Sequence, residues 1–278
     1  MKASHLVAIA SLVLASPALA TTLIVPGPAT GNAQAPTPFN YYGSSGSRVQ
    51  EIYDSSFFSG AELINGFSFR AYPGAAPSGF FGNSVNISDA VIQLSTTTAG
   101  DNESGSLPSA TFADNLGSDA KTVFSGALHL ATAATGTGPQ PFDYTVSFSQ
   151  PFMYDPADGN LLLDVTIPSG ATVSGQGFGF LTFDTVNTID DGIYSVVNIS
   201  DGGAASGTLS TAGAITAFSV STAAVPESST WLMMITGFGI LGAAMWKRRS
   251  ASPDPKTASS AAWRTLAARS NALPRHQS

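Results

Sequence analysis

Cysteine is missing from all 278 residues, which removes disulfide staples, zinc–thiolate sites, iron–sulfur clusters and thiol nucleophiles. Histidine is nearly as scarce. Of the three, His5 lies near the start and His276 near the end, so His129 is the one imidazole of the central region. A histidine-based metal site needs several, and Leu128-His129-Leu130 points the ring outward between two inward leucines. Basic residues are sparse as well. Between Thr21 and Val225, Arg48, Arg70 and Lys121 stand against sixteen acids, a net of −13. Such a body repels phosphate backbones and lacks the Lys/Arg clusters that release counterions, so nucleic acid is excluded as a partner. Cations and sugar hydroxyls remain. No sustained amphipathic helical period occurs in this region, which also removes the helix-opening glycine motifs of nucleotide sites, and no Gly-x-Ser-x-Gly turn is present.

What the region does have is period-two alternation. Phe67, Phe69 and Ala71 alternate with Ser68 and Arg70; Ala90, Ile92 and Leu94 with Val91, Gln93 and Ser95; Tyr144, Val146 and Phe148 with Thr145 and Ser147. In Leu161–Ile167, Leu161, Leu163, Val165 and Ile167 share one face while Asp164 and Thr166 point the other way. Further strands are expected over Gly177–Phe183, Ile193–Ile199 and Ile215–Val220. Turn formers separate them: Pro73-Gly74, Asp158-Gly159-Asn160, Pro168-Ser169-Gly170, Asp191-Gly192 and Asp201-Gly202-Gly203. Many short strands without helices predict an all-β, antiparallel sandwich or jelly roll over residues 39–220. Ahead of it, residues 21–38 carry four prolines and read as an extended arm.

Two apolar segments bracket this body. Residues 1–20 have Lys2, then the apolar run Leu6–Ala15, then Ala18-Leu19-Ala20 as a small-x-small cleavage signature, the pattern of a secretory signal peptide with Thr21 as the mature N-terminus. Residues 231–246 hold one polar side chain, Thr236, and are flanked by Trp231 and Trp246. At 1.5 Å per residue they span roughly 24 Å, short but adequate for a tethering helix across a bilayer when flanking residues extend it. Lys247-Arg248-Arg249 follow at once as a stop-transfer cluster, which keeps that end in the cytoplasm and the acidic body outside. Residues 250–278, rich in Ala, Ser and Pro, read as a disordered cytoplasmic tail.

Within residues 221–249, the linker and motif at 221–230 precede the helix at 231–246 and the basic stop at 247–249. Val225-Pro226-Glu227, the apolar helix and Lys247-Arg248-Arg249, in that order, resemble the PEP-CTERM sorting signal of Gram-negative bacteria. The resemblance implies a partner, an exosortase-type membrane enzyme that recognises the motif, removes the tail and passes the body from the inner membrane and periplasm to the cell surface or an exopolysaccharide matrix. The family's Pro-Glu falls on Pro226 and Glu227. Ser228 stands where the family has a second proline, and 29 residues follow Arg249. A weaker resemblance, carried by Gly66–Arg70, Ile92–Thr97, Val123–Gly126, Pro151–Pro156 and Gly159–Val165, links Val49–Ile167 to a recurrent β-rich ectodomain of PEP-CTERM proteins with no assigned activity.

The body's chemistry is less pointed. Sixteen carboxylates can supply a glycosidase pair, but most sit beside Gly, Asn or Pro, where Asp bonds its own turn. Asp155-x-x-Asp158-Gly159-Asn160, with Asp190-Asp191 and Asp201, offers oxygen ligands for calcium without the terminal bidentate Glu of a full ligand loop. Tyr41-Tyr42, Phe57-Phe58, Phe80-Phe81 and Tyr154 fall in or near loops, where rings can stack on sugars. The expectation is therefore an exported, membrane-tethered structural or binding protein that is not an enzyme and holds no cofactor. The alternatives are a secreted carbohydrate-active hydrolase with two carboxylates and a calcium-dependent glycan-binding adhesin.

Overall fold

In a computed structural model of the chain, the described residues are 20–29, 31–35, 39, 45–73, 84–100, 107–134, 138–175, 181–222 and 238. They form β1 (Thr21–Val25), β2 (Ala33–Ala35), β3 (Ser47–Tyr53), β4 (Glu62–Phe69), β5 (Ser84–Thr97), the short helix α1 (Phe112–Asn115), β6 (Lys121–Ala131), β7 (Tyr144–Tyr154), β8 (Asn160–Ile167), β9 (Val173–Gly175), β10 (Phe183–Asn187), β11 (Ile193–Asn198), β12 (Thr208–Ser210), β13 (Ala212–Ala214) and β14 (Thr216–Thr222). The chain divides into two units, residues 1–223 and 224–278.

All ladders are antiparallel, as the alternation requires. One sheet runs β1-β14-β4-β7; a small one runs β13-β10-β2; the large one runs β12-β11-β3-β8-β5-β6, with β9 added alongside β8 on the same edge of β5. The arrangement is sandwich-like. The first sheet contributes Ile64, Phe67, Phe69, Tyr144, Val146 and Phe218 to a single core, and the large sheet contributes Ile92, Leu94, Leu161, Leu163, Val165 and Ile167. Phe39, Phe69, Phe183 and Tyr144 close one part of it, with Phe69 and Tyr144 each within 5.3 Å of the Phe183 ring centroid. Each edge-to-face or tilted ring pair adds about 1 kcal/mol beyond burial itself.

Four expectations need correction. The stretch from Thr21, read as an arm, begins with β1, which is paired along its whole length with β14; its prolines start only at Pro26, and Leu23 and Val25 alternate inward with exposed Thr22. Of the strand expected over Gly177–Phe183, residues 177–180 lie outside the described residues; Leu181 and Thr182 are not in a strand, and β10 runs from Phe183 to Asn187. Arg70, expected on an outward face, is buried, and its charge is met by Asp184. At the far end β14 reaches Thr222, two residues beyond the boundary expected at 220.

The large sheet is buried on both faces where β3 and β8 run side by side. Its outer face is roofed by the segment around α1. Phe112 donates its backbone N–H to Ala205 O, and Gly207 donates to Ala110 O, which pins this segment to the loop before β12. Beneath it lies a closed polar network. Arg48 contacts Asp164 at 2.6 Å, Gln50 Nε2 donates to Asp164 Oδ2 and to Phe112 O, and Asn115 Nδ2 donates to Gln50 Oε1. Every member has a partner, which is the condition under which a buried polar cluster specifies structure rather than weakening it.

Candidate functional site

Several residues singled out in the sequence lie outside the described residues: Ala18, Tyr41, Tyr42, Phe80, Phe81, Val225, Pro226, Glu227, Lys247, Arg248 and Arg249. Ala20 is described and exposed. Of residues 231–246 only Phe238 is described, helical and exposed, and among the described residues no helix is long and apolar enough to cross a membrane.

The ring platform expected at the loops does not form from the residues that are described. Phe58 is buried and stacks edge-on against Tyr154, with centroids 4.7 Å apart; the Tyr154 hydroxyl donates to Gly159 O. Two single-turn helices, residues 55–57 and 156–158, fold these aromatics inward. Burial therefore raises the Tyr154 phenol well above the ordinary tyrosine range, with the charges of Asp54, Asp155 and Glu62 adding to the effect.

Two adjoining grooves open at this end, sharing Thr97 and Thr98. One, about 360 Å³, is lined by Asp54, Ser55, Ser56 and Asn160 among others. The other, about 380 Å³, is lined by Thr96, Asp114, Asp119 and Asp158 among others. Neither lining includes a cation. Their chemistry is hydroxyl and carboxylate, suited to neutral polyhydroxyl compounds or cations and hostile to phosphates.

Most of the carboxylates here are nevertheless occupied with the fold. Asp54 Oδ1 accepts from Ser56 N–H, Asp155 Oδ1 from Ala157 N–H, and Asp119 from both the N–H and the hydroxyl of Thr96. Asn160, the last member of the suspected calcium turn, accepts from Ser55 N–H and donates to Ala99 O and Gly100 O. Asp191 accepts from Thr188 and Ile193, and Asp201 from Gly203 N–H. These are side chains bonding to turn backbone, as their glycine-rich neighbourhoods imply. Among the described residues no group of three or more Asp, Glu, His or Cys is gathered closely enough to hold a metal ion.

His129 projects from β6, exposed, with Nδ1 2.7 Å from Asn86 Oδ1. Leu128 and Leu130 on either side are buried, so the alternation read from the sequence places the ring outside the core.

Among the described residues three acids are fully or almost fully buried. Asp164 and Asp184 each meet an arginine. Arg70 also donates from Nη1 to Pro28 O at 3.0 Å and from Nη2 to Ala29 O, and Asp184 Oδ1 accepts from Gly31 N–H, so this pair fastens residues 28–31 to β10. Glu51 has no cationic partner among the described residues. Loss of solvent pushes its carboxyl from 4.5 up to about 7, against the opposing pull of the Tyr53 hydroxyl and the Ala214 N–H. No alternation pattern marks Glu51 in the sequence as an interior acid, and it lines neither groove.

The described residues thus form an antiparallel, sandwich-like β body, and most of the buried ionisable groups among them serve its own architecture. Compared with known proteins, the chain matches no family model, no curated protein and no solved structure.

Proposed function

We propose that this is an exported surface or matrix protein with a structural or binding role, held in the inner membrane by residues 231–246 until an exosortase-type enzyme acts at Val225-Pro226-Glu227. One observation carries the reading: the sorting motif, the apolar run bracketed by Trp231 and Trp246, and Lys247-Arg248-Arg249 follow one another in the order that both membrane insertion and processing require. The signature at Ala18-Leu19-Ala20 supports export independently. The body's architecture is compatible with it. The last described strand ends at Thr222, three positions before Val225, and a processing enzyme needs an unpaired segment. An acidic body with hydroxyl- and carboxylate-lined grooves suits a neutral exopolysaccharide better than any polyanion.

Intact-mass analysis of the native protein from its own cell fractions tests this. The expected species begins at Thr21, lacks the chain beyond the motif, and is found at the surface or in the matrix. Glu227→Ala should leave the uncleaved form in the membrane fraction. An unprocessed chain recovered from the soluble cytoplasm would overturn the reading.

A further inference from the structure

The buried Glu51 sits where the three sheets meet. It belongs to β3 of the large sheet and accepts at Oε1 from Ala214 N–H of β13 in the small sheet, 3.0 Å away. Its Oε2 lies 2.7 Å from the Tyr53 hydroxyl. That hydroxyl lies 2.8 Å from Thr216 Oγ1 of β14 in the four-stranded sheet, and Thr216 Oγ1 lies 2.8 Å from Ala214 O. All of these side chains are buried.

The contacts form three consecutive oxygen–oxygen links: Glu51 to Tyr53, Tyr53 to Thr216, and Thr216 to the Ala214 carbonyl. Each link at hydrogen-bond distance needs one proton. The two hydroxyls supply two. With Glu51 ionised, one link is left as two facing lone pairs or one buried acceptor goes unmet, a costly state away from water. With Glu51 protonated the count closes. The carboxyl O–H donates to Tyr53, Tyr53 to Thr216, and Thr216 to Ala214 O, while Oε1 still accepts the Ala214 N–H.

We propose that the folded protein stores a proton on Glu51, that this proton completes a hydrogen-bonded chain tying all three sheets together, and that ionising it at rising pH loosens the body. The surroundings offer the anion no compensation. Opposite Glu51 in the ladder stand Leu163 of β8 and Ser195 of β11, and the Ser195 hydroxyl is spent on Ala212 O. From β13 and β14 come Ala214 and Thr216. Phe218 packs edge-on at 5.1 Å from the Tyr53 ring, with Phe58 behind it. Among the described residues Tyr53 is the one titratable neighbour, and burial and the Glu51 charge both push its own pKa up.

The sign follows from proton counting. Between about 4.5 and about 7 the folded state holds a proton that the unfolded chain has released, so this contribution is fully present below pH 4.5 and lost as pH rises to 7. The folding equilibrium should weaken about tenfold per pH unit across that window, roughly 300-fold in all, and be flat above it as far as this group is concerned.

The test uses the full chain in mild detergent. Urea unfolding of the wild type and Glu51→Gln is compared from pH 4 to 8.5; the amide mimics the protonated acid, donating to Tyr53 and accepting from Ala214 at every pH. The difference in stability should grow in favour of Glu51→Gln as pH rises through the window. Parallel profiles would overturn the proposal. Should Glu51→Gln fail to fold, the wild type decides the matter by carboxyl-carbon NMR. The chain has four glutamates, Glu51, Glu62, Glu103 and Glu227, and selective labelling resolves them, with Glu62→Gln, Glu103→Gln and Glu227→Gln as assignment variants. The one resonance present in all three variants should report a protonated acid at pH 5.5; four carboxylates at that pH would sink the idea.

Discussion

Arg48 on β3 reaches diagonally across the ladder to Asp164 on β8, placing Nη2 2.6 Å from Oδ2 beneath the Phe112 ring, whose centroid lies 4.7 Å from the guanidinium carbon. The carboxylate is 2% exposed and the guanidinium side chain 21%, so the pair is buried from one side and partly open from the other. It anchors the roof on the outer face because Gln50 bridges the same carboxylate to the Phe112 carbonyl.

Removing one partner should therefore do more than delete a contact. Asp164→Ala leaves Arg48 uncompensated and frees a donor of Gln50, and the expected loss is about 3 kcal/mol, the lower range for breaking a buried pair. Denaturant unfolding measures it. Hydrogen exchange should rise first in the Phe112 and Gly207 amides, which hold the roof down. A surface pair, worth well under 1 kcal/mol, would leave both unchanged.

Arg70 predicts a different outcome from a milder change. Its guanidinium engages Asp184 at 2.7 Å and the carbonyls of Pro28 and Ala29 from separate nitrogens. Lysine keeps the charge but lacks the fork, so Arg70→Lys should release residues 27–32 while preserving the sheets. The expected cost is about 2 kcal/mol for the carbonyls left unmet. Limited proteolysis should gain a cut near Gly31 that the wild type resists.

Gly159 is required by geometry. Its φ is +133°, and a Cβ there would lie 2.5 Å from the Thr97 carbonyl oxygen. Gly159→Ala should cost about 1–3 kcal/mol in backbone strain and disturb the bond from Tyr154 that ends on the Gly159 carbonyl. Gly170→Ala also has positive φ, +88°, but open space around it, so the smaller drop in melting temperature expected there separates strain from collision.

Much of this fold was legible because a half-buried strand writes its environment into adjacent residues. Leu161, Leu163, Val165 and Ile167 lie on the core face as their spacing indicates, and the turns at Asp158–Asn160 and Asp191-Gly192 fall where glycine and aspartate allow. What failed to show was anything set by distant parts of the chain. Asp164 does point away from the core, but a roof supplied some fifty residues upstream buries it anyway. Arg70 and Asp184 meet across 114 positions, and no local pattern announces such a meeting. Phe58 and Tyr154 looked like rim aromatics because they flank turns; the turns fold them against each other. The proposed sorting segment is the reverse case, since its motif, apolar run and basic cluster are consecutive and need no tertiary partner to be read in the sequence.

The buried tyrosines give the last prediction, at alkaline pH. Tyr53, Tyr144 and Tyr154 are each at most 1% exposed, and burial raises all three phenols above the ordinary value of 10, with Asp143 adding to the effect at Tyr144. A raised folded-state value means that stability is intact below pH 10 and falls as pH climbs past it, because only the unfolded chain can release these protons. Phenolate absorbance should therefore rise in two stages, with these three ionising in the second, together with the loss of β-sheet circular dichroism. Tyr154→Phe should remove one phenol from the second stage only. Ionisation of all seven tyrosines in one smooth step, with the sheet signal intact, would contradict the packing described for Phe58, Tyr154 and Phe218.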